Sequence, residues 1–176
     1  ASCHNPTGLD PSLDQWREIS AVIKKRKLFP LFDMAYQGFG AGLHEDAAAV
    51  CLFLEEEHEM GLCYSCSKNF GLYGERVGLF SLVVQKQESA KSIATHLSQL
   101  IRGNFSNPPI HGAALVAKIL STEKLTTLWK DEVAPLRARL CEMRALLAAR
   151  LKAAACPMDT RVLTEGRGLF SLLNLS

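Results

Sequence analysis

Apolar residues recur along the chain with two spacings, one typical of helices and the other of short buried strands. Apolar residues every three or four positions predict helices, because such residues share one helix face. The predicted helices span about 12–27, 46–57, 88–102, 112–120 and 125–151. Short aliphatic and aromatic runs predict strands at 28–32, 62–64, 77–84 and 169–173. Alternating strands and helices predict an α/β fold with a mainly parallel sheet flanked by helices.

Two of the predicted helices carry features that can be checked. In the helix over 88–102, Ile93, Leu97, Leu100 and Ile101 should face the core. The longest helix has a proline, Pro135, in its interior, where it costs about 3 kcal/mol, so we expect a kink there or a new helix that begins at Pro135. Its apolar positions alternate by four and three, as on a helix packed against neighbours. These positions are Trp129, Val133, Leu136, Leu140, Met143 and Leu147.

Composition and charge describe an ordinary globular chain. With 176 residues, a net charge of +2 and 48% hydrophobic residues, the chain fits about one domain. Nothing in this balance indicates nucleic-acid binding, no apolar run is long enough to cross a membrane, and no signal peptide opens the chain. The chain starts with Ala1 and ends in an apolar run, so we expect it to be part of a longer protein.

The six cysteines lack the spacing of a disulfide framework and indicate reduced thiols in an intracellular protein. One pair, Cys63 and Cys66, has the C-x-x-C spacing of zinc and redox sites. The alternative is that both are small core residues, and the lack of a second pair or a nearby histidine couple favours it.

A single lysine, Lys68, stands in a polar loop punctuated by glycines, between two apolar runs. In an α/β fold, such a loop at the end of a strand is a common position for a functional site. The amine of a lysine held in a partly dry cleft can attack a carbonyl carbon and form a Schiff base. The alternative is an ordinary solvated loop lysine.

Four motifs in one order extend over nearly the whole chain and resemble those of the aspartate aminotransferases, the class I pyridoxal-phosphate enzymes. The resemblance implies the large domain of the type I fold of pyridoxal-phosphate-dependent transferases over residues 1–120. Residues 121–176 would be a long helix and the start of a small α+β domain. The motifs are His4-Asn5-Pro6-Thr7-Gly8, Phe32-Asp33-x-Ala35-Tyr36-Gln37-Gly38, Ser65-x-Ser67-Lys68-Asn69-Phe70-Gly71 through Arg76-Val77-Gly78, and Ile101-Arg102 through Ser106-Asn107-Pro108-Pro109.

The resemblance implies that pyridoxal 5′-phosphate is the cofactor and that four residues hold its ring. Lys68 would form the Schiff base and then move a proton between Cα and the cofactor as base and acid. Asp33 would pair with the protonated ring nitrogen, which keeps the ring a strong electron acceptor. Tyr36 and Asn5 would hydrogen-bond the ring 3′-oxygen, and Asn5 would also contact the substrate. From the residues alone, Asn5 could equally be a turn residue before proline.

Three further residues would bind phosphate and substrate. Ser65 and Arg76 resemble the phosphate-binding pair, with Arg76 as a forked donor. Arg102 resembles the arginine that enters the neighbouring subunit's site and binds the distal carboxylate of aspartate or glutamate, which implies a homodimer with shared active sites. Without the resemblance, Arg102 could be a residue that caps a helix dipole. The arginine for the α-carboxylate, the ring-stacking tryptophan and the N-terminal phosphate loop lie outside the chain in the family's pattern.

The implied reaction is transamination between L-aspartate and 2-oxoglutarate, in the cytoplasm or the mitochondrial matrix. Amino acids and 2-oxo acids would be its small-molecule ligands. Two alternatives remain open. A racemase of acidic amino acids would use the same carbanion chemistry, and a truncated, non-catalytic binding or dimerising protein would explain the missing ends.

Overall fold

The computed structural model describes residues 2–173, and its three strands form one mixed sheet in the order β1-β2-β3. Strand β1 (Leu31–Met34) runs parallel to β2 (Met60–Ser65), and β2 runs antiparallel to β3 (Gly78–Val83). The predicted α/β organisation is present, but the expectation of a mainly parallel sheet is wrong for this part of the sheet. A loop without a helix, residues 66–77, joins β2 to β3, whereas the crossover between two parallel strands usually contains an α-helix.

The predicted strand over 28–32 lies a few residues too early. Pro30 has no N–H to donate, although its carbonyl accepts a hydrogen bond from the Gly61 N–H at 3.0 Å. The paired ladder therefore starts at Leu31, and Asp33 lies within β1 and not after it.

Helices surround this sheet close to the predicted positions. A short 3₁₀ helix, Glu45–Ala47, precedes α2, so the predicted helix over 46–57 is shorter than expected. The α-helices are α1 (Leu13–Arg26), α2 (Ala48–Glu55), α3 (Gln87–Asn104), α4 (His111–Leu120), α5 (Glu123–Ala153) and α6 (Arg161–Thr164). None of the helices within residues 2–173 is both long and apolar enough to cross a membrane.

The main core lies between α1, α2 and one face of the sheet. Phe32 on β1 and Phe53 on α2 meet edge to face at 5.0 Å between ring centroids, and Trp16 of α1 packs on both rings. Burial alternates along β1, with Phe32 and Met34 buried and Asp33 exposed, so Asp33 lies on the opposite face of the sheet. The core therefore fixes which face of the sheet is available for chemistry.

Helix α5 is continuous through Pro135, so no new helix begins there. Of its predicted apolar stripe, Val133 is buried, but Leu136 is 48% exposed. In α3 the prediction of a core-facing stripe is wrong for this chain, since none of its residues is buried and Leu100 is 68% exposed. In α3, Ile93 and Leu97 are half-buried, whereas Leu100 and Ile101 are exposed.

The predicted strand over 169–173 is also wrong, because this segment has no regular secondary structure. The carbonyl oxygens of Gly168 and Phe170 accept hydrogen bonds from the side chain of Arg144 on α5, where a strand would pair with a neighbouring strand.

Candidate active site

Three of the predicted site residues meet beyond the carboxyl ends of the parallel strands β1 and β2. Tyr36 follows β1, Lys68 lies in the turn after β2, and Asn5 lies in the N-terminal turn. The Nζ of Lys68 is 4.8 Å from the centroid of the Tyr36 ring, and the side-chain amide of Asn5 donates to the Tyr36 hydroxyl at 3.3 Å. Tyr36 is buried and Lys68 is half-buried. An amine, a phenol and an amide are therefore grouped at the edge where α/β sheets hold their ligands.

The loop that carries Lys68 is held by its neighbour Asn69, which the sequence analysis did not single out. The buried Asn69 amide donates to the Gln37 carbonyl at 3.1 Å and to the Tyr64 hydroxyl at 2.7 Å. Burial raises the pKa of the Tyr64 phenol, and the donation from Asn69 only partly opposes this rise. The indole N–H of Trp129 on α5 donates to the Asn69 carbonyl at 2.7 Å. These bonds fix the chain at Asn69, directly after Lys68.

Helix α5 forms the outer wall next to this loop. The Trp129 indole stacks on Phe70 with 4.4 Å between ring centroids and 9° between planes. A cavity of about 390 Å³, mostly apolar, lies between residues 68–71 and α5. The spacing of apolar residues identified Trp129 as part of the α5 stripe. It did not predict the hydrogen bond from Trp129 to Asn69, because the two residues are 60 positions apart.

The glycine-rich loop after Tyr36 is organised by a buried carboxylate, Asp46, that the sequence analysis treated as helix scaffold. Its two oxygens accept the backbone N–H groups of Gly38 at 2.8 Å, Gly40 at 2.9 Å and Ala41 at 2.8 Å. Gly38 has a φ of 97°, a conformation that favours glycine, and a Cβ there would lie 2.6 Å from Val133. The signal in the sequence was an acidic residue shortly after a run of glycines, the arrangement of a backbone anion nest.

Asp33 and the predicted phosphate pair lie near the same edge but are not joined by direct contacts. Asp33 is exposed on the free face of the sheet, opposite Cys63 of β2. Ser65 ends β2 opposite Gly78, two residues beyond Arg76, and its hydroxyl accepts the Ser67 N–H at 3.2 Å.

The guanidinium of Arg76 is exposed, and it donates to the Tyr73 carbonyl at 3.3 Å. Its backbone φ of 51° turns the chain into β3. The structure thus gathers Asn5, Tyr36 and Lys68 closely, whereas in the described chain no hydrogen bond or ion pair joins Asp33, Ser65 or Arg76 to this group. Arg102 is apart from this group, exposed in the last turn of α3, and its guanidinium makes no hydrogen bond to any residue within 2–173.

The C-x-x-C pair is divided between two environments. Cys63 is half-buried on β2, whereas Cys66 is buried and burial raises the pKa of its thiol. Both are free thiols. Among the described residues, no group of three potential metal ligands converges.

Comparison with known proteins places this arrangement in a family. The sequence matches the family described as "Aminotransferase class I and II" over residues 1–176. The chain belongs to this aminotransferase family. It is 45% identical over 177 aligned residues to a protein of Dictyostelium discoideum named "Aspartate aminotransferase, mitochondrial", with all of this chain and 42% of that protein covered.

Solved aminotransferase structures share its fold. A putative aspartate aminotransferase from Leishmania major matches with a TM-score of 0.97 at 36% identity, covering 99% of this chain and 44% of that one. An aromatic-amino-acid aminotransferase from Burkholderia pseudomallei, whose crystal structure has pyridoxal phosphate covalently bound, matches with a TM-score of 0.92 at 43% identity, covering 97% of this chain and 43% of that one. The chain therefore spans less than half the length of these relatives.

Proposed function

We propose that this chain forms the lysine-bearing part of a pyridoxal-phosphate-dependent aminotransferase that transfers an amino group from L-aspartate to 2-oxoglutarate, giving oxaloacetate and L-glutamate. The observation that carries the proposal is the Lys68 amine, 4.8 Å from the Tyr36 ring, beside a hydroxyl that Asn5 already contacts. Membership of the aminotransferase family supports the reaction type. The name of the Dictyostelium relative supports aspartate as the substrate.

The side chains at this edge fit pyridoxal phosphate by their chemistry. Lys68 is half-buried and forms no ion pair with any residue of the described chain, so its amine is available to a carbonyl carbon. Tyr36 and Asn5 supply a hydroxyl and an amide for a ring oxygen, and Asp33 supplies a carboxylate on the free face of the sheet. Ser65 and Arg76 offer a hydroxyl and a guanidinium for a phosphate group.

When bound, pyridoxal phosphate supplies an aldehyde that condenses with an amine and a ring that accepts the electrons released at the Cα of an amino acid. In this proposal Lys68 would hold the cofactor and, once the amino group of the substrate has displaced its amine, that amine would move the proton from Cα to the aldehyde carbon of the cofactor. Tyr36 and Asn5 orient the ring through its 3′-oxygen, Asn5 also contacts the substrate, and Asp33 stabilises a proton on the ring nitrogen.

Assembly and domain organisation belong to the same proposal. Residues 1–120 would belong to the cofactor-binding domain, and residues 121–176 would lead through α5 into a second domain. Arg102, exposed on an uncovered helix, would bind the distal substrate carboxylate in the site of a second subunit. The enzyme would act inside the cell, in the cytoplasm or the mitochondrial matrix, in agreement with six free thiols.

A second candidate differs in substrate class. The Burkholderia pseudomallei protein, 43% identical to this chain, is an aromatic-amino-acid aminotransferase. On this reading, the same lysine chemistry would act on phenylalanine or tyrosine. Comparing aspartate with phenylalanine as amino donors separates the two candidates.

The test combines chemical trapping with assays of turnover. Because the chain spans less than half of its relatives, we expect it to be incompetent by itself, and the test uses the complete protein that contains it. That protein is incubated with pyridoxal phosphate, reduced with borohydride and digested, and mass spectrometry locates the added group. We expect it on Lys68, and we expect Lys68→Ala to abolish trapping and turnover, while Lys25→Ala on the exposed side of α1 leaves both unchanged.

Three outcomes would contradict the proposal. Trapping on other lysines alone would remove Lys68 from the chemistry. Conversion of L-aspartate to D-aspartate without a 2-oxo acid would indicate the racemase. A protein that neither traps the cofactor nor turns over any amino acid would be the non-catalytic alternative.

A further inference from the structure

The guanidinium of Arg144 holds a segment that contains none of the predicted site residues. Arg144, on the half-buried side of α5, donates to the carbonyls of Leu163 at 2.9 Å, Gly168 at 2.9 Å and Phe170 at 3.2 Å. It also donates to the Val162 carbonyl at 3.4 Å and to the Ser171 hydroxyl at 2.6 Å. All these acceptors lie in residues 162–171, which we call the strap. Arg144 therefore supplies hydrogen-bond donors to the strap, as the backbone N–H groups of a neighbouring strand would do in a sheet.

This arginine is unusual in its surroundings. Its five hydrogen bonds within residues 2–173 all go to neutral oxygens, and no carboxylate of that part of the chain pairs with it. Burial lowers the pKa of its guanidinium, so the protein holds a charge in a place that costs solvation. A planar fork with five N–H groups satisfies many carbonyls at once, which a lysine cannot do.

The strap in turn rests on the residues that carry the candidate site. Phe170 packs edge to face on the Tyr36 ring with 5.8 Å between centroids. The Arg167 N–H donates to the Gly8 carbonyl at 2.8 Å, which ties the strap to the turn that holds Asn5. Tyr36 therefore meets the strap through Phe170 on one side, and Lys68 lies 4.8 Å from its ring centroid.

Glycines at these crossings show how close the contact is. Gly8 and Gly168 both have positive φ, 70° and 75°, and a Cβ on Gly168 would lie 2.5 Å from the Cβ of Cys3. A Cβ on Gly8 would run into the Phe170 carbonyl, and one on Gly166 would run into the Arg144 guanidinium. The strap and the N-terminal turn can approach only because these positions have no side chain.

We propose that Arg144 is a positioning residue: by holding the strap, it sets Tyr36 and the Asn5 turn at the distance from Lys68 that the cofactor ring requires. The role at the cofactor rests on the proposed function. The geometric part, Arg144 acting on Tyr36 through Phe170, concerns contacts within the chain and can be measured without the cofactor.

The first experiment follows Tyr36 directly. The chain has three tyrosines, so ¹³C-labelled tyrosine gives a simple NMR spectrum in which Tyr36, Tyr64 and Tyr73 are assigned by single Phe substitutions. We expect Arg144→Met to move the Tyr36 ring resonances to the position they take in Phe170→Leu, while Tyr64 and Tyr73 stay in place. Arg139→Met, at an exposed position on the same helix, should move none of them.

The second experiment measures the cofactor. Borohydride trapping on Lys68, titrated with pyridoxal phosphate, gives an apparent Kd for each variant. We expect Arg144→Met and Phe170→Leu each to raise this Kd by about tenfold or more, the loss that one charge-assisted hydrogen bond produces. The double variant should be little worse than either single variant, because both remove the same support. Arg144→Lys should restore only part of the affinity.

The outcomes separate the two proposals. If wild-type Lys68 is never trapped, the proposed function fails. If wild-type Lys68 is trapped but Arg144→Met leaves the Tyr36 resonances or the Kd at the wild-type values, Arg144 only supports stability and the inference is overturned. If Arg144→Met does not fold, Ser171→Ala, which removes a single bond to the guanidinium, takes its place, and the same two readouts decide.

Discussion

Single buried polar residues, more than apolar ones, determine the local shape of this protein. Asn69 is 3% exposed, and its side-chain amide donates to Gln37 and to Tyr64. Its backbone carbonyl accepts a hydrogen bond from the Trp129 indole of α5. Its Oδ1 atom is buried without a partner in the described chain. Asp46 is 4% exposed, and its carboxylate accepts several backbone N–H groups of the glycine-rich loop. Each such residue replaces water for several backbone groups at once, so its removal leaves more than one group unsatisfied.

The first prediction concerns Asn69. Asn69→Ala would leave the Tyr64 hydroxyl and the Gln37 carbonyl without their donor, and a buried unsatisfied group costs about 1–3 kcal/mol. We expect a loss of about 2 kcal/mol or more in the free energy of unfolding, measured by urea denaturation. Asn104→Ala, at an exposed position in α3, is the control and should change it by less than about 0.5 kcal/mol. Equal effects of the two substitutions would contradict the bridging role of Asn69.

The second prediction concerns the thiol of Cys3, under the strap. Burial and the nearby carboxylates of Asp46 and Asp10 raise its pKa to about 12, and the side chain is 2% exposed. Because only the thiolate is nucleophilic, Cys3 should resist iodoacetamide at pH 8 in the native protein. Cys141, exposed on α5, should be alkylated within the same reaction time. Peptide mass spectrometry measures both sites, and rapid alkylation of Cys3 in the folded chain would show that the strap opens.

At the scale of the elements, a polar joint of four residues connects α1 to the segment that directly follows α2. Its residues are Ser20, Lys24, Glu56 and His58. The Ser20 hydroxyl, fully buried, contacts both the Glu56 carboxylate and the Nε2 of His58, the latter at 2.6 Å. A carboxylate only accepts, so Ser20 donates to Glu56 and the His58 Nε2–H donates to Ser20. Lys24 completes the joint at 3.1 Å from Glu56, and His58 stacks on Phe53 of the core.

This joint predicts acid sensitivity. Burial, followed by the charge of Lys24, lowers the pKa of His58 below its usual 6.5, so the unfolded chain takes up that proton more readily than the folded one. The stabilisation from neutral His58 is complete above about pH 6.5 and is lost as the pH falls below that value. The bond from Ser20 lowers the pKa of Glu56, which adds a further loss below its usual 4.5. Both groups therefore act in the same direction.

The measurement is urea denaturation between pH 7.5 and 5. In His58→Gln the stability at pH 7.5 should be lower, but its further fall toward pH 5 should be smaller than in the wild type. His96→Gln, exposed on α3, should reproduce the wild-type profile. A His58→Gln profile parallel to the wild type would mean that His58 does not titrate differently in the folded chain.

At the scale of the whole molecule, the described chain leaves large apolar side chains in water. Leu100 is 68% exposed, Phe105 is 53% exposed and Ile110 is 82% exposed, all in α3 and the connection to α4. Leu79 on β3 is 63% exposed. The chain spans 42% of the Dictyostelium relative and 44% of the Leishmania major one. Soluble proteins rarely leave such a surface uncovered. Arg102 stands in this surface, and its exposure agrees with the role in a second subunit that the family resemblance implies.

Arg102 carries the last prediction, because it decides the substrate class. If its guanidinium binds the distal carboxylate, Arg102→Leu in the active enzyme should lower kcat/KM for aspartate. The expected loss corresponds to about 3 kcal/mol of activation free energy, which is what leaving a buried charge unpaired costs. Alanine and phenylalanine should be far less affected, because they have no distal carboxylate. The control is Arg26→Leu at the exposed end of α1. A uniform loss for all three substrates would assign Arg102 to assembly and not to substrate recognition.

The sequence alone determined most of the helices, because they depend on the local spacing of apolar residues. It also determined the family and the candidate site residues, because these depend on short motifs that can be recognised without knowing the tertiary structure. The spacing of apolar residues placed α1 and α3 to α5 within a few residues, and Lys68 stood out as an amine in a glycine-punctuated loop. The family is confirmed by the match over residues 1–176. The roles of all the predicted site residues stay predictions: Asn5, Asp33, Tyr36, Ser65, Lys68, Arg76 and Arg102. Only the tertiary structure decided the direction of β3, the start of β1 after Pro30, the continuity of α5 through Pro135 and the irregular course of residues 169–173. The contacts of Asn69 with Trp129 and of Arg144 with the strap join residues 60 and 18 to 27 positions apart. Such contacts depend on which elements the fold brings together, and no local pattern in the chain records that.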